Sequence, residues 1–288
     1  MNATAATIAC DARCTLGEGP VWWDDALWFV DIEGRSIHRF DPFSNEHRVH
    51  YTGARTGFAV PSRTHGWLIG QDASITAWTP SGEASTVLAE VEPPSFGTRM
   101  NDAKCDPHGR LYAGTMHLSA EPDAGALYRM DADHTPRRIV SDLTISNGMA
   151  WDEAAGAMYF IDTATRRIDR FQWDPRTGDI NGRAPVAELQ DGSPDGMCID
   201  EDGLLWVAMW GGSRVARVDP VLGEEIGAVH LPCPNVTSCC FGGPSMRQLW
   251  ITTARLGMNK DALDACPEAG GVFVTETGTR GSETTPAM

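Results

Sequence analysis

No apolar run in this chain approaches the ~20 residues needed to span a bilayer. The first dozen residues, Met1 to Ala12, lack the basic start and continuous apolar stretch of a secretion signal. The expectation is a cytoplasmic protein with no membrane partner. None of the eight cysteines (Cys10, Cys14, Cys105, Cys198, Cys233, Cys239, Cys240 and Cys266) stands in CxxC spacing. Cys239 and Cys240 are adjacent, which suits neither a zinc knuckle nor an easy disulfide. They read as small buried hydrophobes in a reducing compartment. The histidines form no HxxxH pair, and no long segment has helical period; Asn259 to Cys266 is at most a short helical turn. No linker rich in Gly, Ser or Pro divides the chain. Positive charge is scarce, with 23 Lys and Arg against 39 Asp and Glu, a net charge of −16. Such a surface repels phosphate backbones and anionic lipid, which excludes nucleic acid as a partner.

What the chain does have is repetition. Asn101 to Thr115 (NDAKCDPHGRLYAGT), Asn147 to Thr163 (NGMAWDEAAGAMYFIDT) and Asp195 to Met209 (DGMCIDEDGLLWVAM) follow one plan. Each opens with Asn or Asp, reaches Asp106, Asp152 or Asp200 five residues later, turns at a glycine and runs into apolar residues. In period-2 terms each is a β-hairpin, and the three aspartates read as turn residues. A third strand follows each, and Glu18 to Asp41 repeats the plan. The spacing is 46 residues from Asn101 to Asn147 and 48 from Asn147 to Asp195. A period of ~40–50 residues with four short strands is the signature of a propeller blade. The 288 residues therefore divide into about six blades starting near Glu18, Gly57, Asn101, Asn147, Asp195 and Asn235. The expected fold is all-β, one six-bladed β-propeller domain over residues 1–288. Ala6 to Thr15 would supply the strand that closes the ring, and residues 276–288 a flexible tail.

The innermost strand of each blade lines the central channel, so equivalent repeat positions converge. Asn101, Asn147, Asp195 and the analogous Glu18 should meet at one mouth. All four offer oxygen, the donor that hard divalent cations prefer. Asn or Asp before Gly is also ordinary turn chemistry, and repetition alone does not choose between a metal site and a ring of turns. Trp22, Trp151 and Trp206 read as blade packing; Trp210, at a strand end, and Phe96, after Pro93-Pro94, are placed to border the mouth.

Leu16 to Trp22 (LGEGPVW), Leu27 to Ile32 (LWFVDI), Arg99 to Met116, Ile145 to Asp152 (ISNGMAWD), Pro194 to Ala208, Thr237 to Gly243 (TSCCFGG) and Pro267 to Phe273 (PEAGGVF) resemble, in order, the SMP-30/gluconolactonase/luciferin-regenerating family. The resemblance covers about residues 8–274 and implies an axial metal site in a six-bladed propeller. It implies one divalent ion (calcium, zinc, manganese, magnesium or ferrous iron) held by Glu18, Asn147 and Asp195. Arg99 and Asn101 would contact substrate. Some relatives place a further Glu shortly after the GTM motif; here Ser119 stands near that position, so Glu121 and His117 are both candidates.

The activity so implied is hydrolysis of a sugar lactone, an aldonolactone such as a xylono-, arabinono- or gluconolactone. The metal would polarise the carbonyl, and Asp195 would act as general base. No Lys and Arg cluster surrounds the motifs, which disfavours a phosphorylated lactone. The alternatives are a non-enzymatic calcium-binding regulatory protein and an organophosphate esterase using the same site. The expected partner is the small lactone alone, with the chain a monomer or weak homo-oligomer.

Overall fold

The computed structural model describes residues 4–82 and 85–288. Six antiparallel sheets surround a channel as a six-bladed β-propeller. The innermost strands are Gly17–Trp23, Thr56–Ser62, Thr98–Cys105, Ser146–Asp152, Ser193–Ile199 and Val236–Gly242. Each touches the next, and the sixth touches the first. The blade starts fall within three residues of those expected from the repeat.

Burial grades outward through each blade. In blade 1 the second strand, Ala26–Asp31 (ALWFVD), is buried at every residue because both its faces meet neighbouring sheets. The fourth strand, Glu46–Tyr51, has no fully buried residue and is polar to match. The Asp24-Asp25 turn between the first two strands has φ of 53° and 54°, the primed geometry that suits strand twist. Asp106 and Asp200 act as turn residues: each accepts two backbone N–H groups from the turn it closes. Trp22 stacks on Trp250 at 5.5 Å, Trp151 packs on Tyr112 at 5.0 Å, and Trp206 donates to Asp200. These indoles pack the blades, as expected. All eight cysteines are free and buried. Asn259 caps a single helical turn, Lys260–Ala265, through Ala262 N–H.

Both chain ends close the molecule. Thr7–Cys10 completes blade 6 as its outermost strand, pairing with Val272–Glu276. Thr4–Ala5 adds in parallel to the edge of blade 5. The tail differs from its sequence expectation. Residues 277–288 cross the face opposite the strand starts: Gly281 N–H donates to Met246, Ser282 N–H to Ile199 and Ala287 N–H to Pro61, and Ala287 is buried. Its Gly, Ser and Thr content suggested fraying, but the backbone groups of the blade turns give it hydrogen-bond partners that composition does not reveal.

Candidate active site

One irregularity recurs in all six inner strands. Pairing with the second strand slips by one residue between Glu18 and Val21, Thr56 and Ala59, Met100 and Ala103, Ser146 and Met149, Pro194 and Met197, and Val236 and Ser238. A β-bulge leaves the extra residue unpaired and re-aims its side chain. Glu18, Asn101, Asn147 and Asp195 sit at or within four of these bulges. In blades 1 and 4 the strand start is fixed by a buried carboxylate at the end of the second strand. Asp31 accepts from Thr15 and Leu16 N–H at 2.8 and 2.9 Å, and Asp162 accepts from Thr144 and Ile145 N–H at 3.1 and 2.9 Å. Glycine is required beside two candidate ligands: a Cβ on Gly148 would lie 2.6 Å from the Asp195 carbonyl, and one on Gly196 would strike Ser238.

The structure joins Arg99, Asn101 and Asn147 in one chain of hydrogen bonds. Arg99 Nη1 donates to Asn101 Oδ1 at 2.7 Å, and Asn101 Nδ2 donates to Asn147 Oδ1 at 3.0 Å and to the Ser146 carbonyl at 2.8 Å. Asn147 Nδ2 donates to Thr163 Oγ1 at 2.8 Å, and that hydroxyl donates to the Pro194 carbonyl at 2.8 Å. The Asn147 amide is thereby held with its oxygen on the Asn101 side. Glu18, Arg99, Asn101, Asn147 and Asp195 are all buried.

Electrostatics bind Glu18 and Asp195 into the same unit. Burial, then the nearby Asp102, push Glu18 up to about 8, against the pull of Gly19 N–H and Arg99. Burial, then Glu18 and Asp102, raise Asp195 well above the carboxylate range, and Arg99 opposes them. Asp195 Oδ1 is buried with no hydrogen-bond partner. An orphaned carboxylate oxygen in a buried, mutually repelling acid pair is what a cation would neutralise. The donors are two carboxylates and an amide oxygen, a hard set suited to a divalent ion. Among the described residues no group of three or more His, Cys, Asp or Glu could hold a metal, so a metal site here would depend on the amide oxygen of Asn147.

The other candidates divide. His117 is half-buried and accepts Ser119 N–H on Nδ1 at 3.2 Å; its Nε2 abuts Gly97, beside the exposed Phe96. Glu121 is exposed on the loop after Leu111–His117 and makes no hydrogen bond among the described residues. Trp210 is half-buried where its strand ends and bridges to Asn235. Sequence reasoning passed over Asp102, which occupies a bulge position that is glycine in blades 1, 4 and 5 (Gly19, Gly148 and Gly196). Only repeat alignment one residue past the ligands would have exposed it. Below the mouth the channel widens into a cavity of about 540 Å³, lined by Asp102, Lys104, Cys198 and Cys239 and bordered by Ser282 to Thr285 of the tail.

Comparison with known proteins identifies the family and the fold. The SMP-30/Gluconolactonase/LRE-like region matches residues 16–255. YvrE of Bacillus subtilis (strain 168), by name a candidate sugar lactone lactonase, is 36% identical over 286 residues and covers 98% of each chain. Human regucalcin is 37% identical over 279 residues, covering 93% of each. Among solved structures, a calcium-binding protein, regucalcin, from Agrobacterium tumefaciens superposes with a TM-score of 0.94 at 27% identity, over 99% of this chain and 98% of that one. A luciferin-regenerating enzyme gives 0.91 at 30% identity, over 98% and 99%. With the family model matched over residues 16–255 and relatives matched along nearly the whole chain, this protein belongs to the SMP-30/gluconolactonase/luciferin-regenerating family.

Proposed function

We propose that this protein hydrolyses a sugar lactone, an aldonolactone, to its aldonic acid at the upper mouth of the channel. The observation that carries the reading is the buried Asp195 Oδ1, unpartnered beside Glu18 and in the electrostatic reach of Arg99. Membership of a family whose name includes gluconolactonase supports lactone hydrolysis in general. Glu18, Asn147 and Asp195 would hold one divalent cation. Bound there, such an ion supplies Lewis acidity toward a lactone carbonyl and positive charge for the oxyanion.

The residues of the chain do the rest. Asp195 takes the proton of the attacking water and returns it to the leaving ring oxygen, so that the acyl C–O bond opens to a carboxylic acid and a hydroxyl. It serves as a base only when ionised; Arg99 offsets part of the burial and Glu18 repulsion that hold its proton. Arg99 spends Nη1 on Met100 and Asn101, and the remainder of its guanidinium is directed to substrate oxygens. Asn101 holds Arg99 and Asn147 in register. His117 lies at the rim, suited to a distal hydroxyl; Glu121 has no such contact to support it.

Acid release from aldonolactones, measured before and after chelation and after restoring each divalent ion in turn, tests the reading. Turnover should vanish with the metal; unchanged turnover in fully metal-free protein sinks it. Asp195→Asn should lower kcat by roughly a hundredfold or more with the fold retained. The regucalcin relatives favour a second reading, calcium binding without catalysis. It predicts calcium affinity and no turnover of any lactone.

A further inference from the structure

The residues two positions before Glu18, Gly57, Asn101, Asn147, Asp195 and Thr237 form a second set of equivalent places, one pleat earlier in each inner strand. Its members are Leu16, Arg55, Arg99, Ile145, Ser193 and Asn235. Leu16, Ile145 and Asn235 each bridge to the end of the preceding blade's second strand, at Ala254, Met116 and Trp210. Arg55 is therefore the blade 2 counterpart of Arg99. Its strand abuts the site closely: a Cβ on Gly57, two residues on, would lie 2.7 Å from the Asn101 carbonyl. Arg55 and Glu33 both lie within electrostatic reach of the Arg99 guanidinium.

Arg55 differs from Arg99 in its partner. Its Nε donates to both oxygens of Glu33, at 2.9 and 3.1 Å, and the two side chains are about one-third exposed, at 34% and 30%. Nη1 and Nη2 of Arg55 meet no acceptor among the described residues. A rim ion pair adds little to stability. What this one does present is a donor fork beside an acceptor carboxylate, with no net charge. A neutral vicinal diol, which both donates and accepts, complements such a pair; a phosphate or carboxylate would be drawn by Arg55 and repelled by Glu33.

We infer that Glu33 and Arg55 form a subsite that reads the exocyclic hydroxyls of an uncharged, polyhydroxylated substrate, Arg55 donating and Glu33 accepting. The inference rests on the lactonase reading for its orientation: the ester lies over Asp195 and the polyol arm points toward blades 1 and 2.

The test compares a γ-lactone carrying exocyclic hydroxyls with γ-butyrolactone, which has none, in the metal-loaded wild type and in Arg55→Met and Glu33→Gln. The ratio of kcat/KM for the hydroxylated lactone over γ-butyrolactone should fall roughly tenfold in each variant, chiefly through KM. An unchanged ratio overturns the subsite. Thermal unfolding of both variants separates misfolding from lost recognition. A wild type that hydrolyses neither lactone refutes the lactonase reading on its own. Calorimetric titration with xylitol, which has the hydroxyls but no ester, then decides the subsite: binding lost in Arg55→Met supports it, while no binding by the wild type, or equal affinity in both, overturns it.

Discussion

Asn147 is held at both ends of its amide, by Asn101 at the oxygen and by Thr163 at the nitrogen. An amide can be turned over at little cost unless its partners forbid it, and a turned Asn147 would offer N–H groups where a cation needs oxygen. If Asn147 holds the proposed cation, Thr163 is its positioning residue. Thr163→Val should weaken divalent-metal affinity by roughly ten- to a hundredfold, read by calorimetric titration of the metal-free protein. Affinity equal to wild type would mean that Asn101 alone fixes the amide. Glu18, Asn101, Asn147 and Asp195 were legible because they repeat, and repetition is visible in a linear string. Thr163 was not: it lies inside the repeat Asn147 to Thr163, but the role proposed for it depends on a contact across blades to Pro194. Arg55 and Glu33 were hidden for a related reason. Blade 2 carries Gly57 where its neighbours carry Glu18 and Asn101, so its repeat attracted no chemical reading.

Among the elements, blade 1 carries a buried histidine whose titration is linked to folding. His38 is buried, with Nε2 against Ser36 Oγ and Nδ1 against His47 Nε2, both at 2.9 Å. Burial, reinforced by His47, lowers His38 from the ordinary 6.5 to about 4. Between these values the unfolded chain binds a proton at His38 that the folded chain refuses, so the His38 contribution to stability falls as pH drops from about 6.5 toward 4. Glu18, raised to about 8, and Asp195 act in the opposite sense over part of that window, in wild type and variant alike, so the readout is the difference: His38→Gln should gain melting temperature relative to wild type as pH drops from about 6.5 toward 4. Some slope will remain, because burial also lowers His47 and His50. An identical slope in the variant would place the sensitivity elsewhere. The blades themselves were readable from alternating apolar residues and Asp/Gly turns. The bulges were not, because pairing register is a relation between two strands and leaves no mark in either alone.

For the whole molecule, closure is shared between the two ends of the chain. The N-terminal strand completes blade 6, and the C-terminal residues tie the turns of several blades together from below. The first was expected from the repeat count. The second was not, since polar, small residues carry no pattern until the face they cross exists. Removing residues 277–288 should lower the melting temperature by several degrees, with lactone turnover retained because the candidate site is at the other mouth. Differential scanning calorimetry checks the first half, and loss of turnover in a folded truncation would contradict the second.

The bulge common to all six inner strands makes the mouth a socket with interchangeable places. The same local bend recurs at each, whatever residue stands there. Three places are given to candidate ligands, one to Asn101, and the remaining two hold Gly57 and Thr237. A change of chemistry in such a scaffold asks for new side chains at a few of these places and no new fold, so lineages built on it can drift from one reaction to another without passing through an unfolded intermediate.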